Sequence, residues 1–237
     1  MLKDISLGAM SIFSSILAII ATARLLPREI EDRTVYTILA KPVHRFEYLC
    51  AKLAGVILLL ALSIAMMSAL FFAVLYVREH AVLTETARHL RGLSDSEIAA
   101  AIRDVHRAGF KLNLFPGIAI IFLKASLLAS LTLFVSTIAT TNIFTIVVVT
   151  FTYFAGHLQA IAREYWLQHN GGGWFTQLFL ALVTLLFPDL QTFNLVDNIV
   201  AGTAIPLALF LKTALLGTFY TTIYLLLAVM VFYGKEL

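Results

Sequence analysis

The apolar positions of this chain gather into long unbroken runs separated by short polar stretches. Five runs stand out: Ile5 to about Ala23, Leu53 to Val77, Phe115 to Thr137, Ile138 to Ile161, and Leu207 to Tyr233. An α-helix needs roughly 20 apolar residues to cross about 30 Å of hydrocarbon, so each run predicts one crossing. Between the third and fourth lies only a tight polar turn around Ser136, Thr137, Thr140, Thr141 and Asn142, which makes those two helices antiparallel neighbours. Ser11, Ser14 and Ser15 in the first run are small residues that permit close helix contact. The apolar stretch from Trp174 to Phe187 is too short to cross and ends at Pro188 and Asp189. With PDLQTFNLVDNIV after it, the region 174–200 predicts a re-entrant or interfacial segment, because irregular backbone is tolerated at membrane depth only when protein or water shields it.

The polar stretches are equally informative. Arg24 to Lys52, between the first two runs, carries an apolar stripe of Ile30, Val35, Ile38 and Leu39, with Arg28, Glu29, Glu31, Asp32 and Arg33 on the other side. Pro27 suits a first helical turn, Glu29 and Arg33 form a favourable i,i+4 pair, and Lys41 before Pro42 is pushed out of the helical region. The pattern predicts an amphipathic helix and turn over 27–50, lying at a membrane surface. The region 78–112 holds six basic and five acidic residues and no run that could span. Ser94 and Glu97 have the spacing of a capping box, opening a helix that runs to Gly109. A small helical hairpin outside the bilayer is expected there, read either as a lid or docking element or as a loop insertion.

Composition confirms the class. Of 237 residues 60% are hydrophobic and 13% charged, against about 25% charged in soluble domains, and the mean hydropathy is +0.92. An all-α integral membrane protein with about five transmembrane helices and a single domain over 1–237 is expected, with spans at 5–26, 53–77, 115–137, 138–161 and 207–233. The net charge of +3 is spread between the spans without a continuous basic face, which excludes nucleic acid as a partner. The single cysteine, Cys50, cannot form an internal disulfide. The first run is too long for a cleaved signal and no small-residue cleavage site follows it. Arg24 to Lys52 and Arg78 to Lys111 each hold six basic residues, but the first six lie close to span ends, which places that segment in the cytoplasm. The C-terminus is then cytoplasmic and the N-terminus outside.

With these pieces in order, REIEDRTVYTILAKPVHRFEYLCAKLAG, Arg28 to Gly55, resembles the permease subunits of ABC-2 type transporters. FPDLQTFNLVD, Phe187 to Asp197, is similar to the proline and Phe-Asn motif before that family's last span. The resemblance covers nearly the whole chain. It implies an all-helical domain of six spans, paired with a second permease copy as a homo- or heterodimer and driven by cytoplasmic ABC ATPase subunits in a bacterial inner membrane, with export the commoner direction. It also implies that Arg28, Glu29, Ile30, Glu31, Asp32, Arg33 and Thr34 form the cytoplasmic coupling helix that meets the ATPase, with Lys41, Pro42 and Arg45 in the turn after it. Five spans stand where the family has six, and Met1 begins almost at the second, so an N-terminal truncation or a misplaced start is expected.

No G-x-x-x-x-G-K-[ST] phosphate loop occurs in the sequence, so the chain is expected to bind no cofactor of its own, ATP being held by the partner subunit. An enzymatic role is therefore not expected. Lys124 falls near the middle of the third run, where a lysine costs about 2.5 to 3.5 kcal/mol. It reads either as an intramembrane polar site facing a partner or pathway, or as a side chain that snorkels to the surface. Lys212, near the start of the last run, reads as snorkelling. His157 reads as a hydrogen-bonded histidine toward the outer end of its span. His80, His89 and His106 match no metal-ligand spacing, and Asp189 and Asp197 read as caps of short helices. The rival readings are an intramembrane enzyme built on His157, Glu164 or the region from Asp189 to Asp197, and a non-transporting scaffold for an ATPase.

Overall fold

The computed structural model describes residues 2–25, 44–89, 114–169, 188–194 and 206–234. Arg28 to Thr34, Lys41, Pro42, His106 and Asp197 lie outside these residues, as does most of the expected hairpin and of the expected re-entrant segment. The described residues form five α-helices: α1 (Leu2–Ala23), α2 (Arg45–His89), α3 (Leu114–Ile138), α4 (Asn142–His169) and α5 (Leu207–Gly234). A 3-10 turn, Leu190–Phe193, stands between α4 and α5. All five helices are long and apolar enough to cross a membrane, and no strand occurs among the described residues.

The observed boundaries follow from what the backbone needs in lipid, where every N–H and C=O must be satisfied within the segment. α2 starts eight residues ahead of Leu53 and continues through Arg78 to His89, so the polar residues after Val77 prolong the helix rather than ending it. Its apolar part, Arg45–Arg78, is 34 residues long. No proline interrupts it, and Arg, Glu and Leu are strong helix formers. Between α3 and α4 the backbone breaks at Ala139 to Thr141. Thr141 then starts α4, its Oγ1 accepting from the Phe144 N–H at 3.4 Å, which satisfies one orphan donor of the first turn.

α3 is the axis of the bundle. In its most apolar window 67% of the residues are buried, against 22% to 39% in the other four helices, and it packs on all of them. Ser126, Ser130, Thr132 and Thr137 let neighbours approach, and each hydroxyl donates to a carbonyl one turn back: Phe122, Leu127, Leu128 and Phe134, at 2.6–2.9 Å. The outer helices turn apolar side chains such as Phe13, Leu62, Phe151 and Leu215 outward, as a lipid solvent allows.

Ring and polar contacts fix which ends lie together. Phe72 of α2 meets Phe115 at the start of α3, with centroids 5.6 Å apart. At the opposite end of the bundle the first turn of α2 meets the last turn of α5. There Arg45 Nη1 donates to the carbonyls of Phe232 (2.9 Å) and Tyr233 (3.3 Å), and Tyr48 stacks on Phe232 at 5.9 Å. The two carbonyls are orphans of a helix C-terminus, where a cation is favourable.

Candidate functional site

A lysine inside a spanning helix must find polar company or reach the surface. Lys124 is the eleventh residue of α3, about 15 Å along the axis from Leu114 and about 21 Å from Ile138. It is 4% exposed, so it does not snorkel; it is enclosed between α1, α3 and α4. Its Nζ lies 3.1 Å from His157 Nε2 on α4 and 3.4 Å from Ser11 Oγ on α1, and 5.4 Å above the centre of the Tyr153 ring. Lys212, by contrast, is exposed near the start of α5, in keeping with a snorkelling role.

The tautomer of His157 follows from its neighbours. Nδ1 lies 2.9 Å from the carbonyl oxygen of Tyr153, which can only accept, so Nδ1 carries the proton and Nε2 presents its lone pair to the ammonium. The ammonium is thus met by one imidazole lone pair, one hydroxyl and one π face, all neutral. No carboxylate among the described residues lies at ion-pair distance from Lys124. On α1 the hydroxyls of Ser14 and Ser15 both donate to the Ser11 carbonyl, at 3.1 and 2.7 Å.

The 3-10 turn closes this region from one end. Asp189 caps it, Oδ1 accepting from the Gln191 N–H at 3.0 Å, as read from the sequence. Two glycines let the turn approach. A Cβ on Gly156 of α4 would meet the Pro188 carbonyl oxygen at 2.8 Å, and one on Gly217 of α5 would meet the Phe193 ring at 3.1 Å. Asp189 lies within electrostatic reach of both His157 and Tyr220.

Of the candidate residues, Lys124 and Arg45 fall within the described part of the chain, and they sit apart. Arg45 opens α2 beside the end of α5, and Lys124 lies in the interior. Sequence reasoning weighed Lys124 and His157 singly and missed their pairing with each other, with Ser11 and with Tyr153. One signal was available. Lys124 is 14 residues before Ile138 and His157 is 15 after Asn142, so a tight antiparallel hairpin sets them level. Among the described residues, no three His, Cys, Asp or Glu side chains come together as a metal site.

Among the described residues, five spanning helices with apolar outer faces and a lysine enclosed by neutral dipoles define a multi-pass membrane protein with a polar centre in its hydrophobic interior. The family described as ABC-2 family transporter protein matches residues 1–237, and the chain belongs to that family. It is therefore a membrane-spanning permease of an ABC transporter, a class that works with an ABC ATPase at the bilayer. No curated protein and no solved structure matches the chain.

Proposed function

We propose that this chain is the permease subunit of an exporter in a bacterial inner membrane, paired with a second permease copy and driven by a separate ATPase that docks on residues 28–34 from the cytoplasm. The observation that carries this reading is the arrangement at one end of the bundle. α1 stops at Ala23 and α2 starts at Arg45, so the polar segment between them hangs from two spanning helices. Arg45 fastens its exit to the last carbonyls of α5. A force on that segment reaches three helices at once, because a hydrogen-bonded helix moves as a rod and the bilayer accommodates its tilt at modest cost. Its alternating charges suit a soluble partner, where rim charges set orientation and association rate.

The test is charge reversal at Glu31→Arg with Arg33→Glu in the chain co-expressed with its ATPase. Uncoupling is expected: ATP hydrolysis persists while transport-linked stimulation is lost, and the helical content of the bundle is unchanged. Unaltered coupling in the double variant, or repeated purification of the chain in mild detergent without any ATPase, sinks the reading.

A further inference from the structure

We propose that Lys124, with His157 and Ser11 beside it, is the subsite that recognises the acidic head of an amphiphilic cargo taken up from the bilayer between α1 and α4. This deepens the permease reading and rests on it. The starting point is an unbalanced charge. Lys124 is 96% buried in a spanning helix, and among the described residues the groups that touch it supply dipoles and a π face but no negative charge. Asp189, within electrostatic reach of His157 from the 3-10 turn, already uses Oδ1 to cap that turn. A buried cation left this way is most stabilised by an anion that brings its own charge.

The cluster also has room in its bonding pattern. An ammonium has three N–H donors, and two protein acceptors meet it. The Ser11 contact, at 3.4 Å, is at the long limit for a hydrogen bond and is the one an incoming oxygen would replace.

Geometry chooses the route. Ser11 and His157 are half-buried at the line where α1 meets α4, and the residues flanking them, Ile12, Phe154 and Leu158, are 55–60% exposed. The seam thus leads from a lipid-facing apolar surface to the buried Lys124 cation. An acid carrying an alkyl chain matches both parts: the chain lies along the seam and the head reaches Nζ.

The experiment uses the full chain in phosphatidylcholine nanodiscs, without ATPase, so its failure is separable from failure of the ATP-driven reading. Binding of radiolabelled dodecyl phosphate, dodecanoate, dodecanol, inorganic phosphate and acetate is measured. One or both long-chain acids are expected to bind saturably at one per chain. Dodecanol, acetate and inorganic phosphate should bind at least tenfold more weakly. Lys124→Gln should lose at least tenfold in affinity and Lys124→Arg should retain binding, both with unchanged helical content. A dodecanoate bearing a photoreactive group near its carboxylate, used on the unmutated chain, should label peptides around positions 11, 124 and 157. Equal affinity in Lys124→Gln, equal binding of dodecanol or of the short anions, absence of saturable binding, or labelling elsewhere overturns the proposal.

Discussion

Gly156→Ala should loosen the 3-10 turn from α4, and the structure sets the size of the effect. The added methyl would sit 2.8 Å from the Pro188 carbonyl oxygen, 3.0 Å from Leu190 Cγ and 3.1 Å from Leu190 Cδ1. Ordinary contact begins near 3.4 Å, so the backbone at Pro188 has to retreat by about 0.6 Å. That carbonyl is not the free end of a flexible side chain; the proline ring restricts its backbone and Asp189 immediately begins the capped turn. Overpacking of this kind costs about 1–3 kcal/mol. Gly55→Ala in α2 is the control, since nothing lies within 4 Å of its Cβ position and alanine is the better helix former by about 0.8–1 kcal/mol. Gly156 also lies inside a helix, so the propensity gain is common to both variants, and equilibrium unfolding of α-helical signal by sodium dodecyl sulfate in mixed micelles should separate them by the overpacking cost of about 1–3 kcal/mol, Gly156→Ala being the less stable. If Gly156→Ala proves as stable as Gly55→Ala, the close seating of the 3-10 turn on α4 is wrong, and with it the position of Asp189 near His157.

Two further outcomes rest on the same bundle. Arg45→Gln removes the guanidinium that reaches the Phe232 and Tyr233 carbonyls and lies 5.9 Å from each ring centre; in a half-buried setting the loss should be about 1–2 kcal/mol by the same unfolding assay. Arg45→Lys should recover little, because a point charge cannot span two carbonyls as a planar fork does. Thr213→Val should leave stability unchanged or raise it by up to about 1 kcal/mol, because Thr213 is fully buried and its hydroxyl has no hydrogen-bond partner among the described residues; a loss above about 1 kcal/mol would show that the hydroxyl is bonded after all.

The sequence by itself determined the class and the rods. Runs of 20 or more apolar residues leave the backbone no solvent to bond with, so they must be helices that span, and their number and order could be read before any coordinates. The tight turn around Thr140 and Thr141 fixed α3 and α4 as a hairpin for the same local reason, and the cap at Asp189 was legible because a cap involves only neighbours in sequence. The absence of a phosphate-loop motif was equally a property of the string. What the string left open were the ends of the long helix, since Arg, Glu and Leu beyond Val77 favour helix as readily as they favour a wet surface.

Only the tertiary structure decided which helix is the axis and what surrounds the interior cation. α3 and α5 are almost equally apolar on every side, so no stripe in either sequence tells which one is enclosed; the packing chose α3. Whether Lys124 reached the surface or stayed inside depended on whether the neighbouring helices offered it acceptors. His157 lies 33 residues away and Ser11 lies 113 away, and their meeting at Nζ is a fact of three helices packed together, which no local pattern encodes.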